Sequence, residues 1–164
     1  MKRILVVRLG ALGDIVHALP ALAALKRAFP NTAIDWLVDY RYADFLDLVP
    51  LIERRIVLSS RTPTGWLKAI KEIRQFSYDV ALDLQGLLKS AVFARASGAE
   101  RVVGFSSKQL REPMARVFYS AVRGPDPTGK HVIEKNLMLL RILGIESSEW
   151  TFPCLLYTSP SPRD

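Results

Sequence analysis

The chain has 164 residues, 49% hydrophobic and 24% charged, which suits one domain of ordinary core size. Its 23 Lys and Arg against 16 Asp and Glu leave a formal charge of +7, pointing to an anionic partner: nucleic acid, an acidic membrane surface or a phosphorylated substrate. One cysteine, Cys154, excludes an internal disulfide framework, and His17 and His131 offer no metal-ligand spacing, so no metal is expected. No run approaches the roughly 18 apolar residues of a membrane span and the amino terminus lacks a secretory pattern, which predicts a cytoplasmic protein.

Taken in chain order, residues 3–9 (RILVVRL) read as a buried strand and 14–28 as a helix with apolar positions at 15, 16, 19, 22 and 25. Pro20 inside that helix predicts a kink or a detached first turn. After the stop signal Phe29-Pro30-Asn31, residues 33–38 form a second strand, 40–48 a short helix closed by Pro50, and 52–58 a third strand. A helix over 64–76 capped by Thr64, a strand over 80–84, a helix over 87–97 and a fifth strand over 101–105 follow. This alternation predicts an α/β fold: a Rossmann-like parallel sheet with helices on both faces. Residues 109–122 read as helical after Pro113, 123–129 as a turn-rich loop, and 131–143 as a helix ending at Gly144. The Ser/Pro-biased last ten residues read as a disordered tail or a junction.

Residues 2–17 (KRILVVRLGALGDIVH) run from the first strand through two glycines into a helix opened by Asp14. Glycines at such a turn let backbone N–H groups approach a ligand, and the helix N-terminus favours negative charge. The spacing G-x-x-G-D is neither the dinucleotide fingerprint nor a P-loop. Asp14 therefore stands at the carboxyl end of the first strand, where open α/β sheets place their ligand crevices, though by local pattern alone it reads first as a helix N-cap. A nicotinamide or flavin oxidoreductase has Asp39 at the end of the second strand in its favour but lacks the glycine fingerprint. A nucleic-acid-binding module would use the charge, yet the basic residues are dispersed and not interleaved with aromatics, so nucleic acid is not expected. His17, one turn beyond Asp14, reads as a partly buried histidine before a proton relay. Trp36, Trp66 and the pair Phe118-Tyr119 read as packing.

The opening VVRLGALGDIVHALPAL, then Asp83-Leu84-Gln85-Gly86-Leu87-Leu88-Lys89-Ser90, then Arg111-Glu112-Pro113-Met114-Ala115 with Phe118-Tyr119, together resemble the bacterial ADP-heptose:lipopolysaccharide heptosyltransferases, glycosyltransferase family 9. The likeness is greatest to the heptosyltransferase I branch and spans residues 1–153. It implies the amino-terminal, acceptor-binding half of a GT-B glycosyltransferase, with 154–164 a non-native or disordered tail and the carboxyl-terminal donor domain absent. The implied reaction transfers heptose from ADP-L-glycero-D-manno-heptose to the Kdo of lipid A, inverting and independent of metal or other cofactor, with Asp14 as general base that also caps its helix. Acceptor contacts implied by the matching blocks are Arg61 and Arg111 first, Lys89 and Arg8 second, with Gly13 and Gln85 lining the site, while Gly86 permits the turn. The implied partners are the anionic glycolipid acceptor, ADP-heptose as co-substrate and the cytoplasmic face of the inner membrane, with a monomer expected. The same likeness leaves room for an acceptor-binding chain without catalysis, or for a relative with another acceptor.

Overall fold

The computed structural model describes residues 1–122 and 131–154. Six strands form one all-parallel sheet in the order β3-β2-β1-β4-β5-β6. They are β1 (Arg3–Val7), β2 (Ala33–Asp39), β3 (Arg54–Leu58), β4 (Val80–Asp83), β5 (Arg101–Gly104) and β6 (Ala121–Val122). The chain starts in the middle of the sheet, builds outward to β3, and crosses back to place β4 on the other side of β1. Right-handed crossovers in opposite directions put their helices on opposite faces. Accordingly α1 (Leu12–Ala28) packs with α4 (Val132–Leu139), tied by the Asn136 amide donating to the His17 carbonyl at 3.2 Å. On the other side α2 (Pro63–Ile73) meets α3 (Leu88–Ala96), with the Trp66 and Phe93 rings 4.9 Å apart. A sheet covered on both faces has buried strands with near-continuous apolar runs, and Ile4, Leu5, Val6 and Val7 are all at most 1% exposed.

The five predicted strands are present, and the structure adds a sixth, β6, paired in parallel with β5. It lies where a helix was expected over 109–122. That stretch instead forms short 3-10 turns at Ser107–Gln109 and Pro113–Phe118 before the strand. β3 starts at Arg54, two residues later than expected, and the short helix over Tyr40–Leu48 is of 3-10 type, N-capped by the Asp39 side chain. Helix α1 runs unbroken through Pro20, so the expected splitting-off of its first turn does not occur. Pro20 is buried among the alanines and leucines of that helix, so packing on the sheet outweighs the one backbone hydrogen bond a proline forfeits. The cap of α2 is Thr62, not Thr64, because Pro63 occupies the first helical position and Thr62 Oγ1 accepts from Gly65 N–H at 3.3 Å. Gly144 ends the last helical segment in the left-handed conformation, as expected. The expected loop over 123–129 and tail over 155–164 lie outside the described residues. No described helix is long and apolar enough to cross a membrane.

Candidate functional site

Strand order reverses between β1 and β4, and at their carboxyl ends lies a cavity of about 490 Å³. Arg8, Asp14, Gln85, Gln109, Arg111, Lys135 and Asn136 contribute its polar lining. Three cations thus face a single carboxylate, which suits an anionic occupant.

The floor is set by Arg8, the residue that follows β1. Arg8 is only 8% exposed, and its guanidinium donates from Nη1 to the Leu84 carbonyl beyond β4 and meets Asp14 Oδ2 with Nη2 at 2.8 Å. Asp14 is the third residue of α1, not its N-cap. The helix begins at Leu12 after Ala11, and the Asp14 carboxylate reaches back to Ala11 N–H at 3.3 Å. Its side chain is 43% exposed. One oxygen is therefore held by a buried cation while the carboxylate stays open to the cavity. Gly10, between them, is dictated by space: a Cβ there would stand 2.4 Å from the Tyr42 ring.

The opposite wall is organised by Asp83, wholly buried at the end of β4. It accepts from Gln85 N–H at 2.9 Å, Gly86 N–H at 3.1 Å, Ser90 Oγ at 2.9 Å and the Tyr119 hydroxyl at 2.6 Å. Burial pushes its pKa up, against the pull of these donors, and the Tyr119 hydroxyl is likewise pushed up by burial and by Asp83. The network folds the β4–α3 turn, with Gly86 at φ 73°, so that Gln85 projects into the cavity and accepts from Leu9 N–H at 2.7 Å. Asp83 is thus a scaffold for the wall, not a group facing the occupant.

A second, smaller cavity of about 220 Å³ adjoins the first and shares Gly10, Ala11 and Gln85 with it. Arg41, Arg61 and Lys89 gather there around Asp39. Arg41 grips Asp39 with Nε at 3.0 Å and Nη2 at 3.2 Å, and Arg61 Nη2 stands 3.8 Å away. Burial acts to raise the Asp39 pKa, but Arg41 and Arg61 outweigh it and hold the carboxyl below its usual range. Lys89 is held below the usual lysine range by burial first and by Arg61 second. Three cations against one carboxylate leave this cavity positive too.

Of the residues expected at the site, Asp14, Arg8, Gln85 and Arg111 share the larger cavity, while Arg61 and Lys89 share the smaller one with Gln85. Gly13 lines neither. It faces open space on the exposed side of α1. Arg111 does not pair with its neighbour Glu112, whose carboxylate instead accepts from Leu88 N–H at 2.5 Å, at the start of α3. His17 packs its ring against His131, centroids 5.1 Å apart, and lines neither cavity. Sequence reasoning missed Gln109, Lys135 and Asn136 in the larger cavity and Arg41 in the smaller. A lysine in the opening half of α4, against the helix dipole, was the available signal for Lys135. Among the described residues no three His, Cys, Asp or Glu side chains gather as metal ligands.

The model of glycosyltransferase family 9 (heptosyltransferase) matches residues 66–153. Lipopolysaccharide heptosyltransferase 1 of Pseudomonas aeruginosa is 33% identical over 147 residues, covering 84% of this chain and 41% of that protein. The Escherichia coli K12 protein of the same name is 33% identical over 128 residues, covering 72% of this chain and 40% of its own length. The chain therefore spans about 40% of the length of these curated relatives. Among solved structures, Escherichia coli heptosyltransferase WaaC with ADP superposes with a TM-score of 0.81 at 24% identity, covering 98% of this chain and 55% of that one. The same enzyme with ADP-2-deoxy-2-fluoro heptose gives 0.80 at 25% identity, over 92% and 51%. Escherichia coli ADP-heptose lps heptosyltransferase II gives 0.73 at 21% identity, over 93% and 46%.

Proposed function

Because the chain belongs to glycosyltransferase family 9, the heptosyltransferase family, we propose that it forms the acceptor-binding half of a GT-B enzyme that transfers heptose from ADP-L-glycero-D-manno-heptose to the Kdo of lipid A. The observation that carries this is the Asp14 carboxylate, backed by buried Arg8 and open to a cavity rimmed by Arg111 and Lys135.

In the proposed reaction an acceptor hydroxyl of Kdo attacks the anomeric carbon of heptose. Its proton passes to Asp14 as the new C–O bond forms, and the glycosyl–phosphate bond breaks to release ADP with inversion. Proton removal concerted with bond formation depends on placement, and general-base assistance of this kind contributes about 10²–10⁴-fold. Arg8 fixes one carboxylate oxygen and leaves the other for the acceptor hydroxyl. No step calls for a metal. Arg111 and Lys135 suit the Kdo carboxylate, Arg as a planar fork and Lys as a point charge. Arg61, Lys89 and Arg41 in the adjoining cavity suit a second acidic group on the same acceptor.

The solved relatives that carry ADP and an ADP-heptose analogue support a nucleotide-sugar donor, which in this proposal is held by the part of the relatives outside the match. Residues 1–153 form the acceptor domain, and Cys154, expected to open the tail, instead packs into its core at 3% exposure. An enzyme of this kind works at the cytoplasmic face of the inner membrane, where its lipid-anchored acceptor resides. Calorimetric titration of the chain tests the division of labour: a soluble Kdo oligosaccharide should bind and ADP-heptose should not. Tight ADP-heptose binding with no response to the sugar would reverse the assignment of the two halves.

A further inference from the structure

The 3-10 helix Pro113–Phe118 has three residues per turn, so residues three apart share a face. Ala115 is fully buried and Phe118 packs against the core, which points that pair inward. Met114 and Val117 form another face, and they are 68% and 71% exposed, more than any other large apolar side chain among the described residues. Two exposed apolar side chains aligned on one short helix are an unpartnered edge.

Its place in the fold is fixed. Tyr119 at the end of the segment reaches Asp83 at the carboxyl end of β4, and Glu112 at its start holds Leu88 N–H at the opening of α3. The edge therefore adjoins the Asp14 cavity, which Arg111 just before the segment and Leu87 just before α3 both line, and Leu88 at the start of α3 is 41% exposed. Residues 105–122 carry Lys108, Arg111 and Arg116 against the single acid Glu112, whose carboxylate is already engaged by Leu88 N–H. Apolar side chains flanked by cations at the mouth of a site match an anionic bilayer, whose acyl boundary takes the former and whose headgroups take the latter.

We propose that the Met114–Val117 edge, with Leu88, docks on an anionic lipid bilayer and holds the mouth of the Asp14 cavity against the membrane surface. This rests on the acceptor assignment above for its biological sense, since a sugar anchored in lipid must be met at the headgroup plane. It rests on the edge itself for its chemistry.

The test is cosedimentation of the 164-residue chain with vesicles of phosphatidylcholine containing about one third phosphatidylglycerol, beside vesicles of phosphatidylcholine alone. The chain should partition to the anionic vesicles, and high salt should weaken it. The double variant Met114→Ser/Val117→Ser should partition roughly tenfold less, with unchanged circular dichroism, thermal midpoint and affinity for soluble Kdo oligosaccharide. Equal partitioning of the double variant, or no vesicle binding by a chain that binds the sugar, overturns the proposal. So does sedimentation showing a dimer that the double variant abolishes, because the edge then belongs to a second copy. Vesicle binding lost in the double variant, by a chain that ignores the sugar, upholds the docking edge and removes the acceptor assignment instead.

Discussion

Asp14 Oδ2 lies 2.8 Å from Nη2 of Arg8, and the two differ sharply in exposure: the Arg8 side chain is 9% exposed and that of Asp14 43%. The buried partner is the one with structural duties, because Arg8 also donates to the Leu84 carbonyl. Arg8→Met keeps the length of the side chain and removes both contacts. Leaving the Leu84 carbonyl without a donor should cost about 1–3 kcal/mol of stability, measured by urea denaturation. Arg111→Ala, an exposed change with no described side-chain partner lost, should stay within about 0.5 kcal/mol of wild type.

The layers of the fold were legible because parallel strands covered on both sides must be apolar throughout, and RILVV and RVVG announce themselves. β6 did not, since a two-residue strand has no period to detect. Asp14 was found on its glycine turn, but its position inside the helix was not, because nothing local distinguishes a first-turn aspartate from a cap when glycines precede it. The cavity joins residues from 8 to 136, and only the stretches that carry recognisable blocks were found in advance. Lys135 and Asn136 sit on a helix whose pattern looks like ordinary packing. They reach the site because α4 packs on α1, where the Asn136 amide donates to the His17 carbonyl.

Asp79 secures the start of β1. Its carboxylate accepts from Arg3 N–H at 2.9 Å and Lys2 N–H at 2.5 Å, and these two bonds hold its pKa below the usual carboxylate range. A carboxylate depressed by folding stabilises the native state above its unfolded pKa, and the contribution is lost as pH falls through the folded value. Asp79→Asn should therefore destabilise the chain at neutral pH by about 1 kcal/mol. The gap between variant and wild type should close on acidification below the ordinary carboxylate range, as followed by thermal denaturation at several pH values. A gap that widens on acidification would mean the bonds are not to the ionised form.

Arg111 and Arg61 stand in adjoining cavities, and each is assigned an acidic group of one acceptor. Arg111→Ala and Arg61→Ala should each weaken binding of a soluble Kdo oligosaccharide by about 1.5–3 kcal/mol if the lost bonds are charge-assisted. The losses should shrink at high ionic strength. Because the two residues share no partner, the double variant should show the sum of the single losses. Isothermal titration at two salt concentrations measures all of this.

The central claim is that Asp14 takes the proton from the acceptor. The most direct measurement joins residues 1–153 to the remaining part of the Pseudomonas aeruginosa relative and compares heptose transfer by the chimera and its Asp14→Ala variant. The variant should lose about 10²–10⁴ in kcat with little change in acceptor KM, as befits a group that acts in the transition state. Near wild-type turnover by Asp14→Ala would contradict the claim and leave Asp14 with only its structural contacts to Arg8 and Ala11.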